Sequence, residues 1–326
     1  HTSYACKLKD DEFMIVVTGA AGLIGSHFVQ HLNQYGYTDL ILVDDFTEVL
    51  KYPLWQNAHY SEMVPVEDFF DWAAVHGSQV DFIVHLGVQV DDAVEDYSIF
   101  KKWNVEYAQR VWSWATQQRI PLIYASSAET YGDGPMPCLD DEKTLYKFNP
   151  LTLWGRSKHE FDQWVQKQFS QPPFWYGFKF FNVFGLTEND RVNKQSALYR
   201  LVRQIMLEHK ATLPCLSGKE PVYDFIYVSD VATVMMWFMN HLPPSGLYNL
   251  GTGYARPLSV AAQSAFSILK IHPQWEFAEN AVHPLPPLAG LYANLAKLRK
   301  IQYKKNFLPL ETSVRRFVKT CLNVEK

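Results

Sequence analysis

A glycine-rich stretch near the start of the chain constrains the fold more than any other feature. In "VTGAAGLIGS", Gly19, Gly22 and Gly25 follow a β-branched run and open an amphipathic segment over residues 23–35. Glycines at such a turn let the backbone approach a pyrophosphate, which then faces the N–H groups and dipole of the helix. Asp44 ends the next predicted strand, where a carboxylate can accept hydrogen bonds from ribose hydroxyls. The pattern therefore predicts a dinucleotide-binding loop.

Short β-branched runs alternate with amphipathic segments over about the first 180 residues. The pattern predicts strands over 13–18, 40–44, 81–86 and 121–126, and helices over 23–35 and 105–118. Gly36 stands where a left-handed helix cap is expected, and Pro121 opens a strand where its missing N–H costs least. This order predicts an α/β fold with a Rossmann-type, doubly wound parallel sheet.

Further along, proline and glycine interrupt the alternation. Loops are predicted over 213–221 and 283–290, while 222–228 and 246–253 still have the composition of strands. A smaller substrate-binding region interleaved with the sheet is the simplest interpretation. The predicted boundaries are a tail or cloning remnant at 1–12, a dinucleotide-binding domain at 13–185 plus about 223–255, and a substrate-binding region at 186–222 and 256–326.

Composition excludes several classes of function. With 326 residues and 48% hydrophobic residues, the chain can bury a large core, and a net charge of −4 provides no basic surface for nucleic acid. The four cysteines (Cys6, Cys138, Cys215 and Cys321) lack CxxC spacing, which favours buried thiols in a reducing compartment and predicts no metal site. No apolar run reaches the ~18 residues of a membrane span, so we expect a cytoplasmic protein without membrane contact.

Several longer segments resemble the extended, nucleotide-sugar branch of the short-chain dehydrogenase/reductase superfamily. They are "YASSAETYGD" 124–133, "GRSKHEFD" 155–162, "KFFNVFG" 179–185, "YDFIYVSDVA" 223–232 and "YNLGTG" 248–253. The resemblance is nearest to the ADP-L-glycero-D-manno-heptose 6-epimerase subfamily. It implies a nucleotide-sugar substrate, a homo-oligomer, and a bound NADP or NAD that takes a hydride from a sugar carbon and returns it to the other face.

The resemblance also implies which residues contact the cofactor. Leu23 and Ile24 would lie along the pyrophosphate, Asp44 and Asp45 at the adenosine ribose, and Lys51 near a 2′-phosphate if the cofactor is NADP. Asn104 would steady the backbone of the active site. The full implied set is Gly19, Gly22, Leu23, Ile24, Gly25, Asp44, Asp45, Lys51, Leu86, Gly87, Val88, Asn104, Lys158 and Val183.

Catalytic and substrate residues are implied in the same way. Lys158 would bridge the nicotinamide ribose hydroxyls and favour an ionised acid/base group one helical turn earlier, and Ser126 and Ser127 would offer a hydroxyl to the substrate oxygen. Lys194 resembles the family's second catalytic lysine. The implied substrate contacts are Asn182, Ser196 and Tyr223.

Three positions depart from the family pattern, all on the substrate side. Trp154 replaces the acid/base tyrosine, Tyr223 replaces a phosphate-gripping arginine, and Pro287 falls where another tyrosine is expected. An indole donates a hydrogen bond but does not titrate usefully, and losing general acid/base help costs ~10²–10⁴ in rate. A desolvated Lys194 is one candidate replacement base.

These departures leave several alternatives beside the epimerase. One is a non-catalytic relative that binds the dinucleotide and acts as a sensor or partner. Others are a laboratory substitution at Trp154, and an epimerase, dehydratase or reductase acting on a different nucleotide sugar.

Overall fold

A seven-stranded sheet lies at the centre of the protein. The computed structural model describes residues 13–47, 57–87, 95–134, 138–185, 196–215, 218–279 and 289–324. The strands are all parallel, in the order β10 (Gly246–Leu250), β6 (Trp175–Phe180), β5 (Leu122–Ser127), β4 (Val80–His85), β1 (Met14–Thr18), β2 (Leu40–Asp44) and β3 (Glu62–Pro65). The order reverses between β1 and β4, and open parallel sheets bind ligands at such a point, outside the carboxyl ends of the strands.

Helices connect the strands and cover both faces of the sheet. In chain order they are α1 (Leu23–Gln34), α2 (Phe69–His76), α3 (Tyr97–Phe100), α4 (Tyr107–Gln118), α5 (Leu153–Gln166), α6 (Ala197–Glu208), α7 (Val228–His241), α8 (Leu258–Leu269), α9 (Ala296–Lys300) and α10 (Leu310–Val324). A π-helix, Lys101–Glu106, joins α3 to α4, and short 3₁₀ helices span Gly77–Gln79, Ala128–Tyr131 and Glu142–Lys147.

Successive residues of the central strands alternate between two hydrophobic cores. In β1, Ile15 and Val17 belong to the core that includes α1 and α7, whereas Val16 belongs to the core that includes α2 and α4. Alternating side chains of a strand point to opposite faces, so both faces of the sheet must be covered. This is the doubly wound arrangement that the sequence predicts, and the fold class is confirmed.

A smaller region packs beside the large sheet around a third core. It contains a three-stranded sheet of β11 (Ala255–Pro257), β9 (Val222–Tyr227) and β7 (Asn182–Phe184), and a two-stranded sheet of β12 (Trp275–Glu279) and β8 (Ala211–Cys215). Residues of α6, α8 and α10 complete this core. The predicted domain boundaries stay a prediction, with β10 in the large sheet and β9 in the smaller one.

The local predictions that fall on described residues hold with one correction, and most of the loop predicted over 283–290 lies outside the described residues. All six predicted elements of the N-terminal half are present, and Gly36 has φ +89° just after α1, as a left-handed cap requires. The loop predicted over 213–221 is wrong at its start, because residues 213–215 end β8. Pro214 is tolerated there since β8 pairs with a single partner strand, β12, and an edge strand can lack an N–H donor.

Candidate active site

The glycine loop joins β1 to α1 through contacts that leave no room for side chains. Gly19 has φ +68°, and a Cβ placed on it would lie 2.5 Å from the backbone N of Gly87. A Cβ on Gly25 would collide with the carbonyl oxygen of Gly19. Gly22 caps α1 without a side-chain hydrogen bond, so the first N–H groups of the helix have no side-chain cap competing for them. This cradle fits the pyrophosphate of a dinucleotide.

The start of α1 also approaches the end of β7. Leu23 and Ile24, in the first turn of α1, are half-buried. A Cβ on Gly185, just after β7, would lie 3.2 Å from Cδ1 of Leu23. Val183, within β7, packs against the core that includes α1. The structure thus places Leu23, Ile24 and Val183 on one side of the glycine loop, and their cofactor contacts stay a prediction.

Asp44 lies at the carboxyl end of β2, and its carboxylate is tied to the glycine loop. One oxygen, Oδ2, accepts from the backbone N of Ala21 at 2.8 Å, and Oδ1 accepts from the N of Asp45 at 2.8 Å. Asp45 in turn accepts from Thr47 at 2.6 Å. The sequence predicts that Asp44 meets the adenosine ribose, and the structure brings its carboxylate to the required edge of the sheet.

At the switch point, β1 and β4 are joined through side chains at their carboxyl ends. Thr18 Oγ1 accepts from the backbone N of Gly87 at 3.1 Å and lies 2.7 Å from Nδ1 of His85. Burial, followed by the charge of Lys158, lowers the pKa of His85 to about 3, so its imidazole is neutral. Leu86, 8% exposed, and Gly87 therefore follow β4 in a fixed position beside the glycine loop.

The two serines at the end of β5 have different partners. Ser126 is buried and donates from Oγ to Oδ2 of Asp162 at 2.7 Å. Ser127 caps the following 3₁₀ turn, and its Oγ accepts from the backbone N of Glu129 at 3.1 Å. Accepting at Oγ leaves the hydroxyl proton of Ser127 available to donate. Ser127 is therefore better placed than Ser126 to donate to a substrate oxygen.

Helix α5 begins beside this strand end. Its N-cap, Thr152, accepts from the backbone N of Gly155 at 2.9 Å and donates from Oγ1 to the carboxylate of Glu129 at 2.5 Å. These two bonds fix the first turn of α5, which contains Trp154, against the turn that follows Ser127.

Asn104 holds α5 from the other side. It is fully buried in the π-helix and donates from Nδ2 to Oγ of Ser157 at 2.9 Å. Ser157 in turn donates to the carbonyl oxygen of Trp154 at 2.8 Å. π-Helical turns occur frequently at functional sites. The position agrees with the predicted role of Asn104 in steadying this backbone, and the role itself stays a prediction.

Lys158 points inward from α5, one turn after Trp154. Its residue is 2% exposed, and Nζ lies 5.3 Å from the centroid of the half-buried Trp154 ring. Burial lowers the pKa of Lys158 to about 7, while the charge of Asp162 acts in the opposite direction. The structure therefore brings Lys158, Trp154 and the end of β5 together, as the sequence predicts.

A buried polar network beneath this junction was not predicted from the sequence. Asp162 accepts from Lys179 Nζ at 2.7 Å and from the Tyr124 hydroxyl at 3.1 Å, in addition to Ser126. Lys179 also donates to Oγ1 of Thr130 at 2.5 Å. Two signals were available: Asp162 follows Lys158 by one helical turn, and Lys179 is a lone charge within the apolar strand "WYGFKFF".

The three predicted substrate residues lie in or near the smaller region. Asn182 donates from Nδ2 to the carbonyl oxygen of Asp224 at 3.2 Å, and Ser196 caps α6 by accepting from the N of Tyr199 at 3.1 Å. Tyr223 is completely buried in the third core, and its hydroxyl has no hydrogen-bond partner among the residues that the structure describes. Burial favours a packing role for Tyr223, and its substrate contact stays a prediction.

Several predicted positions lie outside the described residues: Lys51, Val88, Lys194, Pro287 and the segment 1–12. Among the residues that the structure describes, no group of three or more His, Cys, Asp and Glu side chains could hold a metal ion. Within the same ranges, no helix combines the length and apolar character required to cross a bilayer.

The chain is similar to known nucleotide-sugar enzymes along most of its length. A model of the NAD dependent epimerase/dehydratase family matches residues 15–251. The chain is 32% identical to an ADP-L-glycero-D-manno-heptose-6-epimerase of Fusobacterium nucleatum subsp. nucleatum, over 96% of this chain and 99% of that protein.

Two solved structures share the fold. The ADP-L-glycero-D-manno-heptose-6-epimerase of Helicobacter pylori superposes with a TM-score of 0.80 at 20% identity, covering 96% of this chain and 97% of the other. A UDP-N-acetylglucosamine 4-epimerase of Methanobrevibacter ruminantium M1 superposes with a TM-score of 0.81 at 20% identity, covering 97% and 100%. The chain therefore belongs to the NAD-dependent epimerase/dehydratase family, which confirms NAD as a predicted cofactor.

Proposed function

We propose that the protein epimerises a nucleotide sugar of the ADP-heptose type by transient oxidation of one sugar carbon. The observation that carries this proposal is the match to ADP-L-glycero-D-manno-heptose-6-epimerases, which extends over nearly the whole of both chains. The structure supports it with a glycine cradle, the Asp44 carboxylate and a buried Lys158 along one edge of the sheet.

The residues of the chain would divide the work between binding and chemistry. When bound, the nicotinamide dinucleotide accepts a hydride reversibly. The glycine loop and the start of α1 would hold its pyrophosphate, and Asp44 its adenosine ribose. Ser127, with its hydroxyl proton available, would donate a hydrogen bond to the reacting sugar oxygen. Asn104 and Thr152 would keep α5 and Lys158 in register with that oxygen.

The direct test is a stereochemical assay. Purified protein is supplied with NAD or NADP and a panel of ADP-, UDP- and GDP-sugars, and the products are resolved by NMR. We expect interconversion of two epimers of an ADP-linked heptose. Protein that binds dinucleotide but leaves every sugar of the panel unchanged contradicts the proposal, and a dehydrated product assigns the neighbouring reaction class instead.

A second candidate function is that of a dinucleotide-binding sensor without turnover, and Trp154 is the observation that favours it. An indole cannot exchange a hydroxyl proton, whereas the cofactor side of the site is intact. Under this alternative, Trp154→Tyr would create epimerase activity where the native chain has none. Turnover by the native chain would exclude it.

The proposal also includes three properties predicted from the sequence: use of NADP beside NAD, a homo-oligomer and a cytoplasmic location. Mass spectrometry of the small molecules released on denaturing the purified protein identifies the dinucleotide. Light scattering of the native protein measures the oligomer.

A further inference from the structure

Two amines and one carboxylate are buried together where α5 packs on the sheet. Lys179 and Asp162 have fully buried side chains and form an ion pair at 2.7 Å. Lys158, one turn before Asp162 on α5, is 2% exposed. If all three groups were charged, this cluster would carry an uncompensated positive charge inside the protein. Burying an unpaired charge is costly, so one of the two amines is disposed to lose its proton.

The hydrogen bonds show which amine that is. Oδ2 of Asp162 accepts from Lys179 and Ser126, and Oδ1 accepts from Tyr124. Lys179 has a second acceptor in Thr130, so its amine donates two hydrogen bonds, one of them within the ion pair with Asp162. Lys158 has neither bond, and its Nζ faces the ring of Trp154 at 5.3 Å. Lys158 is therefore the amine whose neutral form the surroundings favour.

The other ionisable groups on the neighbouring elements are neutral or are paired with residues other than Lys158. From β4, the buried His85 is neutral. On the 3₁₀ turn after β5, the carboxylate of Glu129 is engaged by Thr152. On the 3₁₀ turn Glu142–Lys147, Glu142 pairs with Lys297. None of these contacts supplies a second carboxylate to Lys158.

The ionisable groups on the outer side of α5 and on the helices packed against it also have other partners, are neutral or face solvent. Arg156 stacks on the Tyr97 ring of α3 at 4.5 Å, and the Tyr97 hydroxyl donates to Glu160 at 2.5 Å. Burial lowers the pKa of His159, so this imidazole is neutral at physiological pH. The charged residues of the π-helix are exposed to solvent: Lys101, Lys102 and Glu106.

We propose that Lys158 itself carries the proton of the reacting sugar hydroxyl, a task that the family pattern gives to position 154 and that Trp154 cannot perform. This inference rests on the proposed function. In the forward step the hydroxyl proton passes to the neutral amine of Lys158 while the C–H hydrogen leaves with its electron pair to the oxidised nicotinamide dinucleotide, and a carbonyl forms. The reverse step returns the hydride to the other face and the proton from the ammonium to oxygen.

The electrostatics of the cluster support this assignment. A pKa of about 7 for Lys158 lies near the optimum for a group that must both accept and return a proton. The sign follows directly: the amine is the active form for oxidation, so kcat/KM should rise with pH through this pKa. At lower pH the ammonium form predominates, and it cannot accept the hydroxyl proton.

The first test measures the titration of Lys158 without turnover. The full-length protein is labelled with ¹³C at lysine Cε, and the lysine signals are followed by NMR from pH 5 to 11. Lys158→Arg identifies the signal of interest by its absence, and Lys167→Arg, at the exposed end of the same helix, is the matched control. We expect the Lys158 signal to titrate near pH 7, because burial disfavours its ammonium form. A titration midpoint above pH 9 for Lys158 would overturn the inference, whether or not the protein turns over a sugar.

The second test separates proton transfer from cofactor anchoring. Lys158→Arg keeps a cation for the ribose but cannot accept a proton at neutral pH, so we expect kcat to fall by ~10²–10⁴ while NAD affinity changes less than about tenfold. In a Trp154→Tyr background the phenol can carry the proton. The decrease in kcat caused by Lys158→Arg should therefore be at least about tenfold smaller there than in the native chain.

The outcomes distinguish this inference from the proposed function. If Lys158→Arg leaves kcat unchanged, Lys158 is not the proton carrier, although the proposed epimerase function is still supported. Loss of turnover in Lys194→Met would then identify Lys194 as the proton carrier. A low midpoint together with no turnover of any sugar refutes the proposed function and the inference with it.

Discussion

The glycine loop and the junction of β5 with α5 lie along the same edge of the sheet but are held together by different kinds of contact. In the loop, backbone meets backbone: Gly19 approaches Gly87, and Gly25 approaches the carbonyl of Gly19 so closely that neither position accepts a Cβ. At the junction, side chains make the contacts through the ion pair of Asp162 with Lys179 and the hydrogen bond of Asn104 to Ser157.

This difference predicts that the two sides tolerate substitution differently. A side chain at Gly19 or Gly25 would meet backbone atoms, so the backbone itself would have to move. Position 154 is half-buried, and its contacts within the junction are a carbonyl bonded to Ser157 and a ring beside Lys158. An indole preserves both contacts. Position 154, which holds the acid/base group in the family pattern, therefore belongs to a junction of side chains and not to the close backbone packing of the loop.

The largest expected effect tests whether buried charge holds the junction. Asp162→Asn removes the carboxylate from the Lys179 ammonium, and breaking a buried pair in this way costs about 3–5 kcal/mol of unfolding free energy. Urea unfolding followed by circular dichroism measures the loss. The matched control is Glu311→Gln, which breaks the exposed pair with Arg256 at 2.6 Å and should cost at most about 1 kcal/mol. Equal losses would contradict a special role for the buried pair.

The next effect tests the backbone contacts of the loop. A Cβ on Gly25 would collide with the Gly19 carbonyl, whereas on Gly22, which is exposed, it would lie 3.3 Å from the same oxygen. Because a displaced loop loses its N–H alignment, we expect Gly25→Ala to weaken NAD binding about 100-fold, or about 3 kcal/mol.

Gly22→Ala is the control within the same loop, with an expected loss below about tenfold. Isothermal titration calorimetry with NAD measures both variants. Similar affinities for the two would show that close packing of the loop does not govern dinucleotide binding.

The loop and the alternation of strands with helices along the chain could be predicted because their signals are local. Gly19, Gly22 and Gly25 follow a strand within a few residues, and the alternation of Ile15, Val16 and Val17 does not depend on distant parts of the chain. The same locality explains the correct placement of Trp154 and Lys158 on one face of a helix.

The buried network could not be predicted because its partners are distant in sequence. Asp162 meets Ser126 and Tyr124 of β5 and Lys179 of β6 only after these strands pair. The burial of Tyr223 also depends on tertiary structure, since the smaller region closes around β9 through α6, α8 and α10. The motif that contains Tyr223 did not indicate whether its side chain points into the core or towards the substrate.

The smallest expected effect tests that position on the substrate side. Within the described part of the chain, the buried Tyr223 hydroxyl has no hydrogen-bond partner. An unpaired buried hydroxyl costs roughly 1–3 kcal/mol. Tyr223→Phe should therefore stabilise the protein, by about 1 kcal/mol in urea unfolding.

Tyr131→Phe provides the opposite control, because the Tyr131 hydroxyl donates to Asn249 at 2.6 Å, and its removal should destabilise by about 1 kcal/mol. Opposite signs for two buried tyrosines would identify Tyr223 as a packing residue that replaces a polar contact of the family pattern. A loss of stability in Tyr223→Phe, joined by a higher KM for the sugar, would instead indicate that its hydroxyl meets the substrate. In that case the substrate side, like the glycine loop, would retain a residue that contacts its ligand.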